Sequence, residues 1–392
     1  MKRLLALFLC LLLSVQSVCA AEINQTTTNE EADGIAISAP SALLMEMSTG
    51  QVIYEKDADV KRAPASVTKI MTLLLIFDAL EAGKIKLEDE VVVSEYAASM
   101  GGSQVFLEPE EIQTVDTMIK CIAVASANDA CVAMAEYIAG NEQEFVAQMN
   151  ERAQLLGMNN TEFKNCNGLD ADGHETTARD IALMSRELMG KYPQIQDYCQ
   201  IWQENITHTT KKGSSEFGLT NTNKLVRHYQ YATGLKTGST STAKFCISAT
   251  GEKDGIEMIA VIMAADDSKK RNADAVVLLN YGFSKCQKYE EEKIEGTSPV
   301  EVKNGMKKKV KTAQEEPFVY IDTKGADLSA ITRRVEMEPS LIAPVKQGMK
   351  AGEVIFCLGN EEIGRVNILT VESVKKATYK SRLKEMLGEY FL

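Results

Sequence analysis

The amino-acid sequence predicts an α+β fold: an antiparallel sheet with a helical cluster, then a small β-rich domain and a C-terminal amphipathic helix. Three observations predict it. Near the start, residues 42–47 and 51–54 are apolar runs joined by Ser48-Thr49-Gly50, which reads as a hairpin with a glycine turn. The middle of the chain carries helical periodicity. From Gly238 the period changes, and residues 243–250 and 256–265 read as two more strands joined by Gly251–Gly255.

Taken in order, residues 1–21 carry a basic start (Lys2, Arg3), a short apolar run and a small-residue cleavage site at Val18-Cys19-Ala20, which is the pattern of a secretory signal. Residues 22–34 are a polar, acidic lead-in. A first domain is expected over 35–288, a β-rich domain over 289–372 and an amphipathic helix over 373–392. Within the first domain Pro64 suits a helix start. Residues 70–80 are apolar nearly all round, so that helix belongs in the core. Helical patterns follow at 115–125, 130–138 (stopped by Gly140), 145–156 and 177–189. A loop, 165–169, lies between the last two, and 195–235 reads as irregular with a strand or two. Residues 271–279 form a helix against the late hairpin. Past residue 288 the charge-rich stretch 288–311 gives way to short strands near 318–321, 331–335, 354–357 and 366–371. At the end, Tyr379, Leu383, Met386, Leu387, Tyr390 and Phe391 make one helical stripe beside Lys375, Lys376, Lys380, Arg382 and Lys384. The basic flank favours an anchor on an anionic membrane surface over packing on the protein's own domain.

Composition narrows the function. The chain has 392 residues and a formal net charge of −12, which argues against nucleic acid as partner. There is no HExxH and no Cys/His cluster, so neither metal nor cofactor is expected. Seven of the nine cysteines lie beyond the signal, without CxxC pairs or a disulfide framework. Several sit in apolar runs as small core residues. Free thiols in an exported chain imply a weakly oxidising habitat.

Three short motifs carry the chemistry. Ser66-x-x-Lys69 opens the core helix, and residues i and i+3 share a helix face, so the amine reaches the hydroxyl. Serine needs an adjacent base, and lysine serves when burial or a nearby cation lowers its pKa. Ser126-x-Asn128 lies in a loop between helices. Lys236-Thr237-Gly238 is read as opening a strand. Each alone is cheap; the ordered set is specific.

With these blocks the sequence resembles the low-molecular-mass penicillin-binding proteins, the serine-type D-alanyl-D-alanine carboxypeptidases. Residues 64–72, 125–130, 221–225, 234–240 and 279–283 all resemble that family, and the likeness runs from about residue 35 to the C-terminus. It implies a β-lactamase/transpeptidase-like first domain. It implies a substrate, the peptidoglycan stem peptide ending in D-Ala-D-Ala, and β-lactams as covalent inhibitors, in cell-wall biogenesis outside the cytoplasmic membrane. Residue by residue, Ser66 is the nucleophile, Lys69 its base and Ser126 the group that passes a proton to the departing amine. Asn128 holds the substrate amide with one end and Lys69 with the other. Lys236 and Thr237 receive the terminal carboxylate, Thr240 adds a donor, and Gly238 lets substrate lie close. The Ser66 and Ser239 amides form the oxyanion hole. One departure is Ala243-Lys244, where relatives tend to have glycine after the alanine, expected to alter strand-edge detail.

Two other functions compete. A class A β-lactamase carries Glu-x-x-x-Asn between the second and third motifs, and no glutamate from 126 to 236 has asparagine four residues on. A scaffold that kept the fold would not need Ser66, Lys69, Ser126, Asn128 and Lys236 intact. His174 reads as a loop residue near the site rather than a ligand. Arg271 reads either as a second carboxylate ligand or as a solvated helix-start arginine.

Overall fold

A computed structural model describes residues 35–380 and residue 383. The first hairpin is β1 (Ser41–Glu46) and β2 (Val52–Lys56). A 3-10 turn, Ala65–Thr68, leads into α1 (Lys69–Glu81), in which every residue from Lys69 to Phe77 is buried. A helix apolar on all sides has no face to offer water, so it becomes the axis of the helical cluster. After β3 (Glu90–Val92), α2 (Glu95–Ala98) and β4 (Ile112–Thr114), that cluster is built by α3 (Val115–Ala123), α4 (Asn128–Ala139), α5 (Glu142–Leu155) and α6 (Ala178–Lys191). Gly140, with φ +85°, ends α4 where the sequence expects a stop.

Residues 195–240 are more ordered than their composition suggests. They hold α7 (Ile195–Cys199), a separate hairpin of β5 (Gln203–Thr210) and β6 (Gly213–Thr220), and α8 (Leu225–His228). In that hairpin only Ile206, His208 and Leu219 are buried, so the alternation that marks a strand is faint. Then β7 (Ala232–Thr240), β8 (Lys244–Lys253) and β9 (Ile256–Ala265) complete an antiparallel sheet of order β2-β1-β9-β8-β7. Ile259, Val261 and Met263 face the helical core. On the other face α9 (Ser268–Lys285) brings Gly282 against Met258 and Leu44. Both faces of β9 are covered, which explains its unbroken apolar run. β7 is an edge strand, and its outer side borders the 3-10 turn.

The second domain contains β10 (Gln287–Glu291), β11 (Thr297–Lys303), β12 (Lys309–Gln314), β13 (Phe318–Asp322), β14 (Ile331–Met337), β15 (Leu341–Ile342), β16 (Lys350–Leu358) and β17 (Glu361–Thr370). Six of these form one sheet, β14-β16-β17-β12-β11-β15, and β10 pairs with β13. The charge-rich stretch is thus partly strand: in β12 Lys309 and Lys311 point out while Val310 and Thr312 are buried. Val374, buried beside Val345, and Lys376, bridged to Gly305, tie the chain to this domain. Helix is described at 379, 380 and 383, with Tyr379 exposed; the rest of the expected amphipathic stripe lies outside the described residues. Among the described residues, no helix is long and apolar enough to cross a membrane.

Candidate active site

Ser66 sits in the 3-10 turn rather than in the α-helix proper, and Lys69 is the first residue of α1. In a 3-10 turn residues three apart eclipse, so the two side chains stack directly. Lys69 Nζ lies 2.9 Å from Ser66 Oγ. Two glycines let neighbouring backbone close on this turn. A Cβ on Gly168 would fall 1.9 Å from the Ala65 carbonyl oxygen, and one on Gly238 would fall 2.7 Å from the Ser66 amide nitrogen. Gly238 is therefore required by strand-to-turn contact, not only by an approaching substrate. Ala65 itself holds φ +50°, a left-handed conformation that costs a non-glycine residue energy.

Lys69 is wholly buried. Besides Ser66 it donates to Asn128 Oδ1 at 2.6 Å and to the Asn167 carbonyl oxygen at 2.6 Å. Burial pushes its pKa below the ordinary lysine value, against the opposing pull of Cys131, Cys166 and Asp129. Lys236 is likewise buried, and burial followed by the Lys69 charge lowers it to about 7. Its Nζ donates to the Thr237 carbonyl at 3.1 Å.

Ser126 is held at φ +62° just before α4, and its buried Oγ has no hydrogen-bond partner among the described residues. Asn128 opens α4. Its Nδ2 donates to the Gly101 carbonyl at 2.7 Å, so the end expected to hold substrate is engaged by the loop. Asp129 fixes that loop, accepting from the amides of Val105, Leu107 and Ala130.

The third motif lies in the second half of β7 rather than at its start. A cleft of about 210 Å³ is lined by Ser66, Ser126, Thr237, Gly238, Ser239 and Arg271, with Ser103, Thr222, Lys224, Phe245 and Ser268 completing it. Three expected substrate contacts are absent from that lining. Asn128 and Lys236 are buried behind it. Thr240 donates its hydroxyl to Asp170 at 2.7 Å, tying β7 to the 165–170 loop. Two cations line the cleft, Lys224 and Arg271; Arg271 is buried on the first turn of α9, lowered to about 10 by burial and without an ion-pair partner among the described residues. The Thr237 hydroxyl donates to Thr222 Oγ1 at 2.9 Å.

His174 is structural. Its Nδ1 accepts from the Lys164 amide at 2.8 Å, so Nε2–H donates to Thr68 Oγ1 at 2.9 Å, and burial lowers its pKa to about 4. Lys244, the position where the resemblance leads one to expect glycine, holds φ +55°, a conformation glycine adopts freely. Sequence reasoning missed Asn167 because its backbone carbonyl, not its side chain, meets Lys69. It also missed Thr222, although 221–225 was already a recognisable block. All seven cysteines of the described residues are free, and among those residues no His, Cys, Asp and Glu cluster is placed to hold a metal.

Comparison with known proteins agrees with this arrangement. Residues 24–267 match the D-alanyl-D-alanine carboxypeptidase family of peptidases, and residues 283–376 match the C-terminal domain of penicillin-binding protein 5. The chain is 40% identical to the D-alanyl-D-alanine carboxypeptidase DacF of Bacillus subtilis, over 100% of this chain and 99% of that protein. It is 31% identical to DacC of Escherichia coli, over 89% of this chain and 87% of that one. Penicillin-binding protein 5 from Haemophilus influenzae superposes with a TM-score of 0.67 at 28% identity, covering 87% of this chain and 99% of that chain. With the Ser66–Lys69 pair, the Ser126 loop and the β7 edge meeting at one cleft, the chain belongs to the serine-type D-alanyl-D-alanine carboxypeptidases of the low-molecular-mass penicillin-binding proteins.

Proposed function

We propose that Ser66 removes the terminal D-alanine of peptidoglycan stem pentapeptides through an acyl-enzyme. The observation that carries the assignment is the three-way hydrogen bonding of Lys69. An ammonium spends its three N–H groups on Ser66, Asn128 and Asn167. A neutral amine keeps two N–H groups for the two fixed oxygens and turns its lone pair to the Ser66 hydroxyl. Loss of one proton thus converts Lys69 into a general base without movement, and burial favours that loss.

Ser66 Oγ then attacks the carbonyl between the two D-alanines while its proton passes to Lys69. The Ser66 and Ser239 amides receive the developing oxyanion, a contribution of about 3–4 kcal/mol per donor in comparable sites. The C–N bond breaks as Ser126, whose hydroxyl is uncommitted, gives its proton to the departing amine and takes the proton held by Lys69 in its place, which returns Lys69 to the neutral amine. Arg271 and Thr237, whose hydroxyl turns from Thr222, bind the terminal carboxylate, and Lys236 stands buried behind the strand, its own pKa lowered by burial and by the Lys69 charge. Water hydrolyses the ester and returns Ser66.

Labelling with a fluorescent penicillin tests this. A lasting adduct on the native protein, none on Ser66→Ala, and D-alanine release from a diacetyl-Lys-D-Ala-D-Ala peptide are expected. D-alanine release by Ser66→Ala would overturn the nucleophile. Rapid loss of the adduct would mark a β-lactamase.

The same reading places the enzyme at the outer face of the cytoplasmic membrane, exported through residues 1–21 and resting on anionic lipid through residues 373–392. N-terminal sequencing of the mature protein and cosedimentation with anionic vesicles, with and without 373–392, test the two halves. Mature protein retaining residues 1–21, or equal sedimentation of both forms, would refute them.

A further inference from the structure

One buried carboxylate near the catalytic lysine takes no part in the reaction as derived. Glu142 is the first residue of α5 and is buried. Its Oε1 accepts from the Cys166 amide at 3.1 Å, and its Oε2 accepts from the Tyr96 hydroxyl at 2.7 Å. Among the described residues no cation pairs with it. A carboxylate taken out of water without a cation costs free energy, so its presence here points to what it holds.

What it holds is the stretch of backbone that meets Lys69. Cys166 is tied on both sides. Glu142 takes its N–H, and Thr72 Oγ1, on α1 three residues after Lys69, donates to its carbonyl oxygen. The next carbonyl, that of Asn167, accepts from Lys69 Nζ at 2.6 Å. Peptide units are planar, so with two successive planes tied only the dihedrals of Asn167 separate them from that carbonyl. The other fixed acceptor of Lys69, Asn128 Oδ1, is steadied through Asn128 Nδ2 on the Gly101 carbonyl. Tyr96 and Gly101 belong to one stretch, α2 and the loop after it, so both oxygens that orient Lys69 trace back to the same segment.

We propose that Glu142 is a positioning residue for the reaction: it holds the Cys166–Asn167 backbone so that the Asn167 carbonyl takes one N–H of Lys69 and the amine lone pair faces Ser66. The role rests on Lys69 acting as the base. The titratable groups facing Lys69 are Asp129 and Cys131 of α4, Cys166 of the loop and Lys236 of β7. Glu142 touches Cys166 rather than Lys69, so its effect through position can be separated from its effect through charge.

Stopped-flow acylation by penicillin, followed against pH, makes that separation. In Glu142→Ala the Asn167 carbonyl is released. The rate at high pH is expected to fall about tenfold as the amine loses its orientation. The limb on which the rate rises with pH should move to lower pH, because the ammonium loses an acceptor. Glu142→Gln keeps an oxygen for the Cys166 amide and offers an N–H to the Tyr96 hydroxyl, so its limb should stay in place and its rate within about threefold of native. Tyr96→Phe removes one of the two anchors and should move the limb in the alanine direction by a smaller step. Thermal melts establish that each variant is folded. Tyr96 is 48% exposed, so Tyr96→Phe carries the test if Glu142→Ala does not fold, and a native profile there overturns the role. A folded Glu142→Ala with the native profile overturns it as well. So does a Glu142→Gln limb displaced as far as the alanine limb, which would mark charge rather than position. A native rate that does not rise with pH removes Lys69 as the base and this role with it.

Discussion

Asn128 Oδ1 accepts from Lys69 Nζ at 2.6 Å while its Nδ2 donates to the Gly101 carbonyl at 2.7 Å, so one amide couples the base to the loop in front of it. The coupling depends on the amide being uncharged. Asn128→Asp would set a carboxylate against Lys69, hold the ammonium form and remove the donor to Gly101. Penicillin acylation at neutral pH is expected to fall by roughly 10²-fold, the lower range for loss of a general base. The sign of the pH dependence follows. In the native enzyme the rate rises with pH as Lys69 loses its proton, with a midpoint below the ordinary lysine value of 10.5. In Asn128→Asp that limb moves to higher pH. Acylation rates measured against pH with both proteins check the shift, and coincident profiles would contradict it.

Gly238 has no room for a side chain. A Cβ there would meet the Ser66 amide nitrogen at 2.7 Å and the Val67 amide nitrogen at 2.9 Å, both rigid backbone. Gly238→Ala must push β7 away from the nucleophile turn and spoil the paired amides, so acylation should drop by about 10²–10³-fold. A stopped-flow rate within threefold of native would show that the strand tolerates the displacement.

His174 makes folding sensitive to acid. Its pKa is near 6.5 when unfolded and about 4 in the native state, because burial disfavours the imidazolium. The unfolded chain therefore binds the extra proton first. The stability tied to the neutral ring is fully present above pH 6.5 and is lost as pH falls through 4, about 3 kcal/mol in all. Urea titrations at pH 7 and pH 4.5 should show a smaller loss for His174→Gln than for the native protein.

Arg271 separates acids from amides. If its guanidinium receives the substrate's terminal carboxylate, a C-terminal amide peptide should be poorer than the acid by about 10- to 100-fold, the worth of one charged hydrogen-bonded contact. Arg271→Gln should narrow that gap mainly through KM. An unchanged acid-to-amide ratio would assign carboxylate recognition elsewhere.

Lys244 holds φ +55°, where a Cβ is strained. Lys244→Gly is expected to raise stability by about 0.5–1 kcal/mol, the left-handed cost less the extra freedom of the unfolded glycine. Thermal melts of the two proteins measure the difference.

The closeness of Ser66 and Lys69, the Ser126 loop and the two hairpins of the main sheet were legible from the chain because each rests on spacing or alternation; the β1–β9 pairing that joins the hairpins was not. What was not legible depends on contacts that no local pattern encodes. Lys236 is buried behind the cleft by strand geometry, while Arg271, already a carboxylate candidate in the sequence, lines it beside Lys224. Thr240 offers the right hydroxyl, yet Asp170 takes it. Asn167 contributes a carbonyl that every residue possesses. The β5–β6 hairpin hid because its few buried positions are scattered among serines, threonines and glutamates, and β11 and β12 hid because charged residues on their outer faces, Glu301, Lys303, Lys309 and Lys311, masked the valines within.

The sheet order has a consequence for how the enzyme comes into being. β1 pairs residues 41–46 with residues 258–263 of β9, so the first strand made cannot be seated until the last strand of the sheet exists. β7, which closes over Ser66, pairs within the sheet through β8, which pairs in turn with that same late strand. A nascent chain therefore carries its serine and lysine side by side without being able to use them. Reactivity toward penicillin switches on as the final step of assembly, and in pulse-labelled cells it would serve as a clock for completed folding.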